Sequence, residues 1–197
     1  MTYVPHGYVS KSVLRQEMIR ARKSVDPVLQ TQAQERICKY LKAIVEEHLP
    51  KTVAFYYPVN GEIDLLPIAK ELAEIGVNIA LPRVAKKDTP LVFNLWDFNE
   101  DEMDADTQGI PCSAGKLITP DMVVTPLVAF DAKGYRIGYG TGYFDRTFES
   151  LPAVWRVGVG YHFQMVKEFE VEAHDIPMHT VVTENGVLRA AEKGVLA

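Results

Sequence analysis

Between Gly134 and Arg146 the chain reads Gly-Tyr-Arg-Ile-Gly-Tyr-Gly-Thr-Gly-Tyr-Phe-Asp-Arg, with four glycines in the nine residues from Gly134 to Gly142. Glycine lets a backbone take positive φ and lets a ligand approach the bare main chain. The residues after Gly142, Tyr143 to Ser150, read as a short helix. A glycine turn leading into a helix start offers unpaired N–H groups and the positive end of the dipole, a combination suited to phosphate. Arg136 adds a full positive charge to the stretch, and Asp145 adds a carboxylate able to hold a metal. The glycines alone describe a hairpin turn with no ligand; the charged and aromatic neighbours favour a binding loop. It is neither a Walker loop nor a dinucleotide fingerprint, because the Gly-Lys-Ser/Thr ending and the strand–helix context are missing.

Other candidates lie far away in sequence. Lys11, Arg15 and Arg22 fall within roughly 40° of arc on a helix. Read alone, they form a solvated basic face beside an apolar stripe. Glu62 follows Gly61 and precedes a helix, where an acid complements the dipole. Asp175 lies in the short segment His174-Asp175-Ile176-Pro177. Magnesium takes oxygen ligands, usually one or two carboxylates plus substrate phosphates, which makes Asp145 and Asp175 the metal candidates. Taken singly, each reads more readily as a cap or turn residue. His174 and His179 lack a third zinc ligand nearby. No Gly-x-Ser-x-Gly nucleophile elbow is present.

The elements that must position these residues alternate between helix and strand. Ser10 caps a helix to about Val25, and Met1–Val9 reads as a loose arm. Asp26-Pro27 starts a second helix that ends near Pro50. Strands follow at Thr52–Tyr57, Val77–Leu81 and Leu91–Trp96, with a helix from Asp64 to about Ile75 closed by Gly76. Asn60-Gly61 is a turn, Asn99–Asp106 an acidic surface loop, and Gly109–Gly115 an irregular segment placed to cover a site. Further strands are expected at Met122–Thr125, Arg156–Gly160 and Thr180–Thr183. This order predicts an α/β fold, a single three-layer domain with a mostly parallel sheet flanked by helices. Three strands end alike, at Tyr57-Pro58, Leu81-Pro82 and Thr125-Pro126. Ligands of open α/β sheets sit beyond the carboxyl ends of strands, so Tyr57, Glu62, Arg83 and the glycine loop are expected to share a cleft.

The length, 197 residues, suits one domain spanning 1–197. A net charge of −5 argues against a nucleic-acid binder that relies on overall basicity, though not against a local anion pocket. No apolar run is long enough to span a membrane, and no leader is expected. Cys38 and Cys112 show no metal or redox spacing, so the expected location is the cytoplasm.

The glycine stretch resembles the signature of the 5-formyltetrahydrofolate cyclo-ligases (5,10-methenyltetrahydrofolate synthetases). Lys11 to Arg15, Tyr57 to Glu62, Leu81-Pro82-Arg83, Thr125-Pro126 and His174-Asp175-Ile176-Pro177 match the same family in order. The resemblance implies a NagB/RpiA-like fold, a monomer, and ATP- and magnesium-dependent closure of 5-formyltetrahydrofolate to 5,10-methenyltetrahydrofolate with release of ADP and phosphate. It implies ATP contacts from Lys11, Arg15, Arg136, Ile137, Gly138, Tyr139, Gly140, Thr141, Gly142, Tyr143 and Phe144. Tyr57, Glu62, Tyr139 and Tyr143 would meet the folate, Arg136 and Tyr143 would act in catalysis, and Asp145 and Asp175 would hold magnesium. An acid suits the N–H groups of a pterin, and Tyr57 offers a flat face. The chain departs from the family pattern at Tyr139, Thr141, Phe144 and His179, which bears on affinity more than on reaction type. Two other classes fit the residues read alone: a sugar-phosphate isomerase on a related scaffold, and a folate- or nucleotide-binding protein without turnover.

Overall fold

Ser10 opens the first helix, α1 (Lys11–Lys23), its side chain accepting a hydrogen bond from the Val13 N–H. The structure is a computed structural model that describes residues 10–190, so the arm expected over Met1–Val9 lies outside the described residues. Leu14, Met18 and Arg22 form the buried face of α1. Asp26 caps α2 (Pro27–His48) by accepting from Val28 and Leu29, with Pro27 in the first turn where its missing N–H is harmless. Two shorter helices follow, α3 (Leu66–Glu74) and α4 (Tyr143–Ser150).

The strands are β1 (Thr52–Ala54), β2 (Asn78–Arg83), β3 (Val92–Leu95), β4 (Met103–Ala105), β5 (Pro111–Ser113), β6 (Met122–Pro126), β7 (Ala129–Phe130), β8 (Arg136–Ile137), β9 (Trp155–Val159), β10 (Thr180–Thr183) and β11 (Gly186–Arg189). Seven of them form one sheet in the order β11-β10-β9-β6-β1-β2-β3. The five central strands are parallel, and the edge strands β3 and β11 run antiparallel. Pairs β4–β5 and β7–β8 form separate antiparallel hairpins.

Both faces of the sheet are covered, as parallel sheets require. Alternation sorts the side chains. Val53, Phe55, Ile79, Leu81, Met122, Val124 and Val157 pack with Ile37, Leu41 and Ile44 of α2 and Ile68 and Leu72 of α3. Ala54, Ala80, Val123 and Val181 face the other way, toward Phe148 of α4. The small residues on that face leave room for Phe148, a fully buried ring whose burial is worth about 1.5–3 kcal/mol. Helix α1 packs on the β7–β8 hairpin through Leu14, Met18, Ala129 and Ile137.

Connections set the position of the site. The β1–α3–β2 unit winds toward one edge of the sheet, and β6–α4–β9 winds toward the other. Strands β1 and β6 are neighbours, so the winding reverses between them. A cleft opens beyond the carboxyl ends of strands at such a switch point.

Several sequence expectations are corrected. Strand β1 is shorter than Thr52–Tyr57; Phe55 still donates to Ala80 O, after which the chain leaves the sheet. Strand β2 runs through Pro82 to Arg83, because β1 has ended there and only β3 pairs with that stretch. Leu65 rather than Asp64 precedes the first turn of α3, while Asp64 accepts from the Leu66 N–H just ahead of it. The acidic stretch Asn99–Asp106 is a short 3₁₀ turn followed by β4, paired with β5 out of the segment expected to be irregular. Among the described residues no helix is long and apolar enough to cross a membrane.

Candidate active site

A cleft of about 620 Å³ occupies the switch point. The segment after β1 contributes Tyr56, Tyr57, Asn60 and Glu62, the start of α1 contributes Lys11 and Arg15, and Glu172 and Asp175 close one end. Arg136, Ile137 and every residue from Gly138 to Asp145 line it as well. Thus all the residues singled out for phosphate, folate and metal open into one cavity. Arg83 is not among its lining residues; its neighbours Pro82 and Val84 are.

The glycine loop leaves β8 and enters α4 with Gly140 at φ +89° and Gly142 at φ +68°. Gly142 is the N-cap and supplies no side-chain cap, so the first N–H groups of α4 are left to a ligand or solvent. Arg15 closes against the loop: its Nε donates to Gly138 O at 2.7 Å, and a Cβ on Gly140 would lie 3.2 Å from the Arg15 Cζ. Arg146 folds back to donate to Thr141 O at 2.8 Å and lies over the Tyr143 ring at 5.0 Å.

Two cation–carboxylate pairs stand at the loop. Arg136, 7% exposed, places Nη2 2.9 Å from Asp145 Oδ1 and lies over the rings of Phe144 and Phe148. Burial lowers the Arg136 pKa against the opposing pull of Asp145 and Asp175, and an arginine still keeps its charge. Lys11 Nζ lies 2.7 Å from Asp175 Oδ2 and 3.0 Å from Glu172 Oε2. Burial alone would lower the Lys11 pKa; the hydrogen bonds to Asp175 and Glu172 outweigh it and raise the value. Asp175 is also partly buried, which alone would raise its pKa. Lys11 and the Glu172 N–H reverse that and hold it below its usual value. The Asp145 carboxylate accepts from Ile176 N at 3.4 Å, which ties it to the Asp175 segment.

The opposite wall holds Glu62, 5% exposed. Its Oε1 accepts from the Tyr139 hydroxyl at 2.6 Å and its Oε2 from Val59 N at 2.9 Å. Burial pushes the Glu62 pKa up, while those two hydrogen bonds and the nearby Arg22 charge pull it down. Tyr139 is pushed up to about 12, first by burial and then by the Glu62 charge. Arg22 is not part of a solvated face as its spacing suggested; it is buried and bound to Tyr139.

Glu172, with His174 and Asp175, forms a carboxylate–imidazole cluster whose ligand atoms lie within 4.8 Å of one another. Glu172 was not singled out in the sequence, although it lies two residues before the segment His174-Asp175-Ile176-Pro177 that was. Arg22 was detectable, since it shares the stripe of Lys11 and Arg15. His179 lies outside the cleft lining, stacked on Trp155 at 4.4 Å with both ring nitrogens facing Arg156. The segment expected to cover a site contributes Gly109 and Ile110 to the wall.

The profile of the 5-formyltetrahydrofolate cyclo-ligase family matches residues 8–184. The chain belongs to this family. The family's reaction converts 5-formyltetrahydrofolate to 5,10-methenyltetrahydrofolate and is driven by ATP, which makes the chain an enzyme of the ligase class. The 5-formyltetrahydrofolate cyclo-ligase of Escherichia coli is 29% identical over 185 residues, covering 86% of this chain and 98% of its own. That of Haemophilus influenzae is 27% identical over 187 residues, covering 86% and 95%. The NMR structure of 5,10-methenyltetrahydrofolate synthetase from Aquifex aeolicus superposes with a TM-score of 0.80 at 30% identity, over 95% of this chain and 96% of that one. The cyclo-ligase fold expected from the resemblance is therefore the fold observed.

Proposed function

We propose that the cleft closes 5-formyltetrahydrofolate to 5,10-methenyltetrahydrofolate with ATP and magnesium as its other ligands. The observation that carries the proposal is the meeting of two unlike half-sites. The glycine loop, with Lys11, Arg15 and Arg136, opens into the same cavity as the buried acid Glu62 and the ring of Tyr57.

The chemical obstacle is a poor electrophile, because an N-formyl group is amide-like and its oxygen leaves badly. In the proposed course the formyl oxygen attacks the γ-phosphorus, the bond to ADP breaks, and an iminium phosphate forms at N5. N10 then attacks that carbon. Phosphate leaves, the N10 proton is lost, and the five-membered ring is closed. Catalysis of this kind rests on positioning and charge neutralisation rather than on a protein nucleophile.

Gly138 to Gly142 and the first turn of α4 receive the phosphates through backbone N–H groups. Ile137, Tyr139, Thr141, Tyr143 and Phe144 complete the nucleotide wall. Lys11, Arg15 and Arg136 neutralise the triphosphate, Arg136 beside the group in transfer. Glu62 accepts the pterin N–H groups, while Tyr57, Tyr139 and Tyr143 pack against the folate. The donor set at Asp145 and Asp175 is all oxygen, which fits magnesium. Bound there, magnesium would neutralise and orient the triphosphate.

Residues 1–197 act in this reading as one cyclo-ligase domain, a cytoplasmic monomer. The seven-stranded sheet that runs from β11 to β3 supports the single domain. The test is absorbance in the methenyl-folate band, with purified protein, 5-formyltetrahydrofolate, ATP and magnesium. A band that grows only with all three is the expected result; no band and no folate binding would refute the proposal.

A further inference from the structure

One phenol joins the two walls of the cleft. Tyr139 lies in the glycine loop between Gly138 and Gly140, yet its hydroxyl reaches the acid on the opposite wall. Arg22 Nη2 lies 2.5 Å from that hydroxyl, and the hydroxyl lies 2.6 Å from Glu62 Oε1. Arginine has only donors and a hydroxyl has one proton, so the direction is fixed. Arg22 donates to Tyr139, and Tyr139 donates to Glu62.

The arginine end of this chain cannot move freely. Arg22 is 3% exposed, and its other nitrogens donate to Asn60 O and Leu127 O, each at 3.0 Å. It therefore pins the turn after β1 and the segment after β6 together. Tyr139 is the member of the network carried by the glycine loop, between Gly138, whose carbonyl accepts from Arg15, and Gly140 at φ +89°. A displacement of the loop by phosphate would reach the Glu62 carboxylate through the hydrogen bond from the Tyr139 hydroxyl.

We propose that Tyr139 is a positioning residue that couples seating of the nucleotide on the glycine loop to recognition of the folate by Glu62, with Arg22 as the fixed anchor. This rests on the cyclo-ligase reading above. It assigns Tyr139 more than a place in the wall: its hydroxyl, together with the Val59 N–H and Arg22 Nη2 at 3.6 Å, holds an acid that the folate needs ionised.

The test uses the full-length protein and a non-hydrolysable ATP analogue with magnesium. The affinity for 5-formyltetrahydrofolate is measured by calorimetry with and without the analogue. In the parent the analogue tightens folate binding. In Tyr139→Phe, folate affinity falls about tenfold, the loss expected for one hydrogen bond to a charged group, and the tightening by the analogue is lost. The pH profile gives a readout that loss of packing would not move. The groups facing Glu62 are Arg22 from α1, Tyr139 from the loop and Tyr56 from the segment after β1. Without the Tyr139 hydroxyl the buried carboxylate protonates more easily, so the loss of folate affinity on acidification begins at higher pH. Arg22→Lys keeps the charge but not the guanidinium fork, and should weaken the coupling in the same direction. Full coupling and an unchanged pH profile in Tyr139→Phe overturn the proposal and leave the cyclo-ligase reading standing, as does a parent that binds folate with no response to the analogue. A parent that binds no folate overturns the reading beneath it.

Discussion

Asp145 has two tasks in the proposed mechanism, and two substitutions separate them. It is the carboxylate, among the described residues, in ion-pair contact with the buried Arg136, at 2.9 Å. Asp145→Ala leaves that guanidinium without its counter-charge. Breaking a buried pair costs about 3–5 kcal/mol. The Asp145 side chain is 16% exposed and Arg136 keeps its contacts with Phe144 and Phe148, so the cost falls at or just below that range, about 2–3 kcal/mol. A domain of this size loses roughly 2–4 °C of Tm per kcal/mol, giving a fall of about 5–10 °C from a stability of about 5–15 kcal/mol, which leaves the fold intact. Asp145→Asn retains an oxygen acceptor for Arg136 and should cost only about 1 kcal/mol. Both variants lose the charge proposed for magnesium, so turnover falls at least about 100-fold in each, equivalent to about 2.7 kcal/mol of transition-state stabilisation. The assays are thermal melting and the rate of methenyl-folate absorbance across a magnesium titration. Near-parental turnover in Asp145→Asn with an unchanged magnesium requirement would remove Asp145 from the metal site. An Asn variant that melts as low as the Ala variant would refute the account of the Arg136 pair.

Gly140→Ala forces a side chain into a backbone with φ +89° and puts its Cβ 3.2 Å from the Arg15 guanidinium. The strain is about 1–2 kcal/mol, so the KM for ATP should rise several-fold with folate KM little changed; a parental KM for ATP would contradict it. His179 is lowered to about 4 by burial and then by Arg156 and His48. Between pH 6.5 and 4 the unfolded chain binds this proton and the folded chain does not, so stability falls as pH falls, by about 1–2 kcal/mol once solvent screening of the half-buried ring is allowed for. Melts of His179→Gln over that range should show a shallower slope, and an unaltered slope would exclude His179 as its source. Lys11→Met frees Asp175 and Glu172 of their ammonium partner. It should weaken ATP binding yet strengthen manganese binding in the absence of nucleotide, both read by calorimetry; weaker manganese binding would reverse the assignment.

Local signals made most of the fold legible. The Ser10 and Asp26 caps, the strand Thr180–Thr183 and the helix Tyr143–Ser150 follow from residue type and period alone. Pro82 misled because proline was read as a strand stop. Whether a missing N–H matters depends on which neighbour pairs there, and that is a tertiary fact. The acidic composition of Asn99–Asp106 hid β4, since charges on a two-stranded surface hairpin face solvent and leave no alternation to read. In the site, the loop stood out by its residue types and the two aspartates through the family resemblance, and the structure brings all of them to one cleft. Arg22 was visible as a position but not as a role. Its partners Asn60, Leu127 and Tyr139 come from three separate segments that only the folded sheet brings together.

The way charge is arranged explains how a chain of net charge −5 can host a polyanion. Under the proposed assignment two of the three cations for the triphosphate are partners of the acids for magnesium, Lys11 with Asp175 and Arg136 with Asp145, while Arg15 rests on Gly138 O. These four charges cancel in pairs, so most of the charge meant for the two ligands is balanced before either arrives. A nucleotide arriving alone would draw each cation toward phosphate and leave a partly buried carboxylate uncompensated, which is costly. A metal arriving alone would displace the same cations with nothing to receive them. Magnesium and triphosphate together supply both missing partners, so the pairing discriminates against either ligand by itself. Tyr57 and Glu62 lie outside these pairs, which leaves the folate half-site free to respond through the loop rather than through competition for the same charges.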